Sequence, residues 1–553
     1  MVQGWDVPEG RPARGARWLR ALWRNVPAGP YRVGCEAGAA VPAGDGVPLL
    51  TDHYFPLADG ASPTKADAFP TLLVRSPYGR GVPWAALYGI LFAEQGFHVV
   101  VQSCRGTGGS GGDFHLWRNE AADGRAAVAW LRTRPWFTGA LGTIGPSYLG
   151  YVQWALAADP PPELRAMVVQ VGLHDPYAYF HAGGAVHLEN ALVSGIGMAH
   201  QHRGTGPFLR AALRLRRWLP HAHRQPTPYT SGPAAELPWL AEALARTDAD
   251  DPYWRGASAE RTATRLTVPT CLIGGWQDVF LDQTLAQYRR LRRAGCESAL
   301  LVGDWTHTGA LREGWPEVFA ESLGWLRAQL GGEPDGLRRT PVRVHVGGDG
   351  GGWRDLPHWP PPPGDAAGPW HLTAGGGLGR SVPDGAAPVG EFRHDPGDPT
   401  PSLGGPALSR GAGRRDNRAL EARTDVLTFT GPALAGPREV LGEVAARLRI
   451  TATGAHGTPP EGPFDVFARL CDVDARGRSV NVCDGLVRVR GGTAQPLAVH
   501  VPMAATAHRF AAGHRVRLQV SGGAFPRYAL PPGAHGAGPV RIALHPGSTL
   551  QLP

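Results

Sequence analysis

The pattern of apolar and polar positions divides the 553-residue chain into three regions of different character. In the first, short apolar runs of strand length alternate with longer runs of helical spacing. The apolar runs are Phe69–Arg75, Phe97–Gln102, Ala140–Ile144 and Leu164–Val171. The helical segments between them are Trp84–Gln95, Glu120–Leu131 and Tyr151–Ala158. Continuous apolar runs suit strands covered on both faces, and strand–helix alternation predicts a mostly parallel, doubly wound α/β sheet. Residues 30 to 60 read as antiparallel strands opening this sheet, with turns at Gly44-Asp45-Gly46 and Ala58-Asp59-Gly60. From His174 to about Arg261 the alternation stops. Helical stretches at Pro207–Leu219 and Leu237–Thr247 predict a cap inserted into the sheet. The sheet resumes with Val268–Gly275, a helix over Thr284–Ala294 and a strand over Ala299–Gly303. From Arg339 helical periodicity fades. The short β runs Asp425–Phe429, Ala446–Thr453, Phe464–Val473, Gly485–Val489 and Arg515–Ser521 predict an all-β domain, a sandwich or a jelly roll.

This gives five expected segments: an N-terminal extension (1–29), the α/β domain in two parts (30–173 and 262–338), the helical cap (174–261) and the β domain (339–553). Two glycine-rich runs, Gly375–Gly377 and Gly404–Arg415, read as mobile turns. Trp18–Arg24 reads as a short amphipathic surface helix.

Composition removes several classes of function. The net charge of +8 is carried by arginine, with Lys65 the one lysine, and the arginines are dispersed rather than interleaved with aromatics. Nucleic-acid binding is therefore not expected. No apolar run reaches the roughly 18 residues of a membrane span, and Met1–Pro27 lacks the apolar core of a secretory signal. The six cysteines include no C-x-x-C and no zinc-ligand spacing, so no metal is expected and a reducing cytoplasm is the expected location. Cys471 and Cys483 are close enough in sequence to pair across a hairpin. The glycine-rich loop Arg105–Gly112 lacks Gly-Lys-Ser/Thr, and no helix begins directly after it. It reads as a tight loop at the site's edge rather than a phosphate cradle.

The chemistry centres on Gly145-Pro-Ser-Tyr-Leu-Gly150, a serine between glycines at a strand-to-helix corner. Such a turn strains the serine backbone, lifts its hydroxyl clear of the sheet and aims the first helical N–H groups at the atom it attacks. The second glycine stands three residues after Ser147 rather than two. Gly275-Trp-Gln-Asp278 and Gly303-Asp-Trp-Thr-His307 end the next two strands, on the sheet edge where α/β sites form. The order Ser147, Asp278, His307 is that of α/β-hydrolases. A serine hydroxyl needs a base, the role expected of His307. The imidazole needs a carboxylate to set its tautomer, the role expected of Asp278, with Asp282 and Asp304 as nearby competitors.

These residues resemble the cocaine esterase / Xaa-Pro dipeptidyl-peptidase superfamily, the CocE/NonD hydrolases. The matching stretches also include Arg75-Ser-Pro-Tyr-Gly79, Arg105–Phe114, Glu120-Ala-Ala-Asp-Gly124, Asp251-Pro-Tyr-Trp254, Thr424–Thr430 and Gly513–Leu518, spanning nearly the whole chain. Serine-tyrosine elbows with glycine at the third position are a trait of that family. The resemblance implies an α/β-hydrolase domain, a helical cap and a C-terminal jelly roll, with the Tyr78 hydroxyl and Tyr148 N–H as the oxyanion hole. It also brings departures. Ser103 stands where relatives often carry aspartate, and Gly79 and Arg80 follow Tyr78 where ammonium-binding relatives carry acidic residues.

The expectation is thus a serine hydrolase of a small acyl ester, less readily an amide, working through an acyl-Ser147 intermediate without metal or organic cofactor. A biosynthetic acyltransferase and an Xaa-Pro dipeptidyl-peptidase are the alternatives. Trp239, Phe180 and His187 are candidates to line the acyl pocket, and Arg80 to favour an acidic acyl group. The expected partner is a small-molecule substrate, with no nucleic acid or membrane. Homodimerisation is left open.

Overall fold

The computed structural model describes residues 20–21, 26–57, 69–200, 205–333, 336–362, 368–454, 457–491 and 495–553. Most of the expected Trp18–Arg24 helix and of the N-terminal extension lies outside them. Ten strands form the first sheet: β1 (Arg32–Pro42), β2 (Pro48–Leu57), β3 (Thr71–Ser76), β4 (His98–Ser103), β5 (Leu141–Ser147), β6 (Leu164–Gly172), β7 (Thr270–Gln277), β8 (Ser298–Thr306), β9 (Val342–Val346) and β10 (Gly352–Leu356). Their spatial order is β1-β2-β4-β3-β5-β6-β7-β8-β9-β10. The strands from β4 across to β9 run parallel, and β1, β2 and β10 add antiparallel edges. Every residue of β3, β4 and β7 is buried, as strands sandwiched between helix layers must be. This is the α/β-hydrolase fold.

The sheet corrects one expected boundary. β9 and β10 lie beyond residue 338, yet β9 pairs with β8 through Leu300↔Val342 and Val302↔Val344. Fading helical periodicity there marks two more strands of the first sheet, not the start of the second domain. Val342, Val344 and Val346 are buried alternately, and one face of the strand completes the α/β core.

The insertion between β6 and β7 is helical, with helices at Pro176–His181, Leu188–His200, Thr205–Trp218, Pro238–Ala245 and Pro252–Ala257. Its two ends meet where the Ala259 N–H donates to the His174 carbonyl. The C-terminal region is a β jelly roll, dominated by antiparallel pairing. Its longest strand, Arg438–Thr453, alternates strictly along much of its length. Val444, Ala446, Leu448, Ile450 and Ala452 point into the core while Glu443, Arg447 and Arg449 point outward. Strands Phe464–Val473 and Arg515–Ser521 pair beside each other over the same core.

All six cysteines are unpaired. Between the strands Phe464–Val473 and Ser479–Val489 the register sets Cys483 opposite Leu470 and Cys471 opposite Asn481, so the expected hairpin disulfide does not form. Among the described residues no helix is long and apolar enough to cross a membrane.

Candidate active site

Ser147 ends β5 and caps the helix Tyr148–Ala157 with φ 57° and ψ −123°, a conformation few non-glycine residues adopt. The two glycines around it have separate steric causes. A Cβ on Gly145, whose φ is +153°, would sit 2.5 Å from the Leu149 Cβ. A Cβ on Gly150 would sit 3.0 Å from the Gly172 Cα and 3.0 Å from the Val169 Cγ1. The helix therefore crosses β6 at backbone distance three residues after the serine, which explains the displaced glycine. Gln153, which sequence reasoning missed, braces the turn. It accepts from Thr143 Oγ1 at 3.0 Å and donates to the carbonyls of Leu149 and Val168, each at 3.1 Å. Nothing in the local sequence marks it, because two of its partners, Thr143 and Val168, lie on the strands beneath the helix.

The motifs before the elbow form its foundation. The Tyr148 side chain is buried, its hydroxyl donating to Glu120 Oε1 at 3.0 Å and accepting from the Trp117 N–H at 3.2 Å. Arg75 pairs with Glu120 at 3.0 Å and donates to its carbonyl at 2.7 Å. Arg105 binds Asp123 at 2.7 and 3.2 Å and Asp45 at 2.7 Å. Buried charges persist where each has a partner, and the Arg105–Asp123 pair fixes the glycine-rich loop against the helix Glu120–Leu131, on which the Tyr148 hydroxyl also rests.

Two donors converge beside the serine. The Tyr78 hydroxyl lies 3.4 Å from Ser147 Oγ, and the Tyr148 N–H also points at that hydroxyl. Burial raises the Tyr78 pKa, so the phenol keeps its proton at neutral pH and remains a donor.

On the neighbouring strand ends, His307 Nδ1 donates to Asp278 Oδ1 at 2.7 Å. The Asp278 side chain is fully buried. With the proton on Nδ1, Nε2 is left as a proton acceptor. The other carboxylates are placed elsewhere. Asp304 pairs with Arg414 at 3.1 Å, and Asp282 lines a cavity of about 660 Å³ between the cap, the sheet and the jelly roll. Asp278 also borders that cavity. One extra residue in β8 between Gly303 and Thr306, against Gly275 and Gln277 in β7, makes a bulge just before His307. Bulges of this kind re-aim a side chain at the end of a strand. The Trp305 indole donates to the Gly274 carbonyl at 2.9 Å and fills the space over Gly275, Gly303 and Gly314.

Tyr179 and Phe280 join the two halves. Their rings lie 4.9 Å apart, and Phe280 meets the His307 ring edge-on at 5.3 Å. Tyr179 lies within electrostatic reach of both Tyr78 and Asp278. Neither aromatic was singled out from sequence. Among the described residues the hydrogen-bond partner of Ser147 Oγ is Tyr78, so proton transfer to His307 requires the hydroxyl to turn from the phenol to the imidazole. Apo sites commonly close such contacts only with substrate bound.

Of the four expected pocket residues, Trp239 and Phe180 pack in the apolar cluster that also holds Tyr78 and Tyr148. Trp239 packs edge-on against Phe114, which packs on Tyr148, with ring centroids 6.1 Å apart at both contacts. Phe180 is buried in the cap core between Tyr179 and Trp254. His187 meets Tyr528 of the jelly roll at 4.9 Å and lines the 660 Å³ cavity. Arg80 does not face an acyl pocket. Its guanidinium binds Asp52 at 3.0 Å, and Ser103 Oγ and the Gly108 carbonyl each at 2.8 Å. These contacts use three of its five donors in bracing the loop, and Ser103, the residue that departs from the family pattern, is one of its partners.

The jelly roll abuts the site. Phe525 enters the cap core, the Ala529 N–H donates to the Val186 carbonyl at 2.8 Å, and Gln277 Nε2 donates to the Val482 carbonyl at 2.7 Å. The Gly404–Arg415 run, expected to be mobile, is tied at several points. Gly405 and Gly413 exchange backbone hydrogen bonds, the Leu408 N–H donates to Asn190 Oδ1 at 3.0 Å, and the Arg415 N–H donates to Asn481 Oδ1 at 2.7 Å. Among the described residues no cluster of three or more His, Cys, Asp or Glu side chains is arranged to hold a metal ion.

A strained serine at a strand–helix corner, followed by an aspartate–histidine pair at two later strand ends, defines an enzyme of the α/β-hydrolase fold. Residues 45–309 match the X-Pro dipeptidyl-peptidase (S15 family), and residues 336–539 match the X-Pro dipeptidyl-peptidase C-terminal non-catalytic domain. The chain belongs to the CocE/NonD and X-Pro dipeptidyl-peptidase family of serine hydrolases, which cleave ester or amide bonds. It is 29% identical over 537 residues to cocaine esterase of Rhodococcus sp. (strain MB1 Bresler), covering 88% of this chain and 90% of that protein. Two solved structures share the fold. An α-amino acid ester hydrolase superposes with a TM-score of 0.76 at 21% identity, covering 94% of this chain and 96% of that one. A CocE/NonD family hydrolase from Staphylococcus aureus superposes with a TM-score of 0.68 at 18% identity, covering 94% of each chain.

Proposed function

We propose that the protein hydrolyses a small acyl ester, and less readily an amide, through an acyl-Ser147 intermediate. The observation that carries this reading is the His307–Asp278 hydrogen bond of 2.7 Å on the same sheet edge as the strained serine. In the proposed cycle Ser147 Oγ attacks the substrate carbonyl carbon while His307 Nε2 takes its proton. Asp278 holds the imidazole tautomer and stabilises the imidazolium. Negative charge collects on the carbonyl oxygen, stabilised by the Tyr78 hydroxyl and the Tyr148 N–H. The tetrahedral species collapses, the ester C–O bond breaks, and the leaving alkoxide takes the proton from His307. Water, deprotonated by His307, then attacks the acyl carbon. Collapse of the second tetrahedral species breaks the acyl–Oγ bond, and the proton returns to Ser147.

The relative most similar in sequence among those named is an esterase, which supports ester over amide. Arg80 is committed to Asp52, Ser103 and Gly108, which supports an uncharged acyl group. Six unpaired cysteines support a reducing compartment. A panel of p-nitrophenyl esters set against aminoacyl-proline anilides tests the reading. Turnover of the esters with release of free acid supports it. Preference for the anilides identifies a dipeptidyl-peptidase, and acyl transfer to added alcohols or amines in place of water identifies an acyltransferase.

A further inference from the structure

We infer that Arg414, on the C-terminal strap Gly404–Arg415, is a positioning residue for His307. The inference rests on the reading of His307 as the catalytic base. It starts from the bulge in β8, where the extra residue between Gly303 and Thr306 interrupts the β7–β8 register just before the histidine. The bulge leaves its extra residue outside the ladder and bends the strand, which rejoins β7 only at Gln277↔Thr306, so contacts from outside the ladder set the direction of the strand end. One fixture is Trp305, packed over three glycines. The other comes from the C-terminal domain.

Arg414 Nε donates to Asp304 Oδ1 at 3.1 Å, and its Nη2 lies 3.1 Å from the same oxygen. Its Nη1 donates to His508 Nδ1 at 2.9 Å. Accepting there puts the His508 proton on Nε2, which donates to Asp472 Oδ2 at 2.9 Å. Asp472 Oδ1 in turn accepts from His514 Nδ1 at 2.8 Å. The guanidinium is thus held from behind by a jelly-roll network and presented to the residue three before His307. The space for it is shaped on purpose of sterics alone: a Cβ on Gly347, at the end of β9, would overlap Arg414 Nη2 and sit 3.0 Å from Asp304 Oδ2. A Cβ on Gly413 would sit 3.1 Å from Thr306 Cγ2, so the strap touches the strand on the other side of the bulge as well. The Arg414 and Asp304 side chains are 21% and 26% accessible. The same strap reaches the cap through Leu408 and Asn190.

The test compares Arg414→Ala, Arg414→Lys, Asp304→Asn and the double variant Asp304→Asn/Arg414→Ala with the full-length parent, using p-nitrophenyl acetate. Competent sites are counted by fluorophosphonate titration, so unfolded protein does not enter kcat. Misplacement of a catalytic group by about 1 Å costs on the order of 100-fold. Arg414→Ala is therefore expected to lower kcat per titrated site by about 10- to 100-fold with KM changed less than about 3-fold. Arg414→Lys should recover part of the loss, and the double variant should be no slower than the slower single. If Arg414→Ala does not fold, Asp304→Asn, nearly isosteric, must still show the fall in kcat. Unchanged kcat per site, a rise confined to KM, or losses that multiply in the double variant would each overturn the positioning role. His307→Ala separates this from the parent reading: turnover surviving that change removes His307 as the base, whatever Arg414 does.

Discussion

The Tyr78 hydroxyl stands 3.4 Å from Ser147 Oγ and receives the Tyr148 N–H on its own oxygen, so the two donors lie side by side next to the atom that begins the reaction. Replacing Tyr78 by Phe removes one donor and almost no volume. Turnover should fall about 100- to 1000-fold with KM little changed, as expected for a donor used in the transition state. Because burial raises the Tyr78 pKa above its ordinary value of 10.0, the phenol remains protonated through the mildly alkaline range. Steady-state rates from about pH 7 to about pH 10 should give profiles of the same shape for parent and Tyr78→Phe. An alkaline fall present only in the parent would contradict the assignment.

Arg80→Ala separates a brace from a specificity residue. Loss of its contacts to Asp52, Ser103 and Gly108 should cost about 2 kcal/mol of stability, the scale of hydrogen bonds to a charged group. The ratio of kcat/KM for a neutral ester to that for one with a carboxylate on its acyl chain should stay within about 2-fold. A large change in that ratio with unchanged melting would place Arg80 at the substrate.

Two helical glycines should respond with opposite signs. Ala at a helix interior is worth about 1 kcal/mol over Gly. At Gly256 a Cβ meets nothing within 4 Å, so Gly256→Ala should raise the melting temperature. At Gly150 the new carbon would press at 3.0 Å on the Gly172 Cα, backbone that cannot turn aside. Overpacking of that kind costs about 1–3 kcal/mol, so Gly150→Ala should melt lower and lose activity with the elbow's displacement.

Acid should destabilise the fold before the carboxylates titrate. Burial lowers His98 to about 3, helped by the charge of His53. Burial and Arg290 lower His174 to about 3, against a hydrogen bond to Gln283, and burial lowers His181 to about 4. In the unfolded chain these groups take up protons near pH 6.5 and in the native protein they do not. Stability is therefore full above about pH 6.5 and declines as pH falls toward about 4, by on the order of 1.4 kcal/mol per pH unit for each histidine. Urea midpoints at about pH 7 and about pH 5.5 should show this fall, and His98→Phe should make it shallower. A midpoint that rises on acidification would contradict the assignment.

What the sequence makes legible depends on whether the cause is local. Phe464–Val473 and Arg515–Ser521 are strands over the same residues that their apolar pattern predicts, and Glu120–Leu131 is a helix over the predicted span. Asp278 and His307 are readable as neighbours because each closes an apolar strand, and consecutive strands of such a sheet lie side by side. The rest depends on distant partners. Gly404–Arg415 has the composition of a mobile turn, and what holds it are Asn190, Asp304, Asn481 and His508. Arg80 looks free beside Tyr78 until folding brings Asp52 and Ser103 to it. The strands Val342–Val346 and Gly352–Leu356 sit next to the jelly roll in sequence but next to Ser298–Thr306 in space.

The central claim is that Ser147 becomes the acyl carrier with His307 as its base. Its most direct test is intact-protein and peptide mass spectrometry after exposure to a fluorophosphonate probe, with Ser147→Ala and His307→Ala alongside the parent. The account predicts one adduct on the peptide carrying Ser147, none in Ser147→Ala, and labelling slowed by at least about 1000-fold in His307→Ala. An adduct that survives Ser147→Ala, or parental labelling rates in His307→Ala, would contradict it.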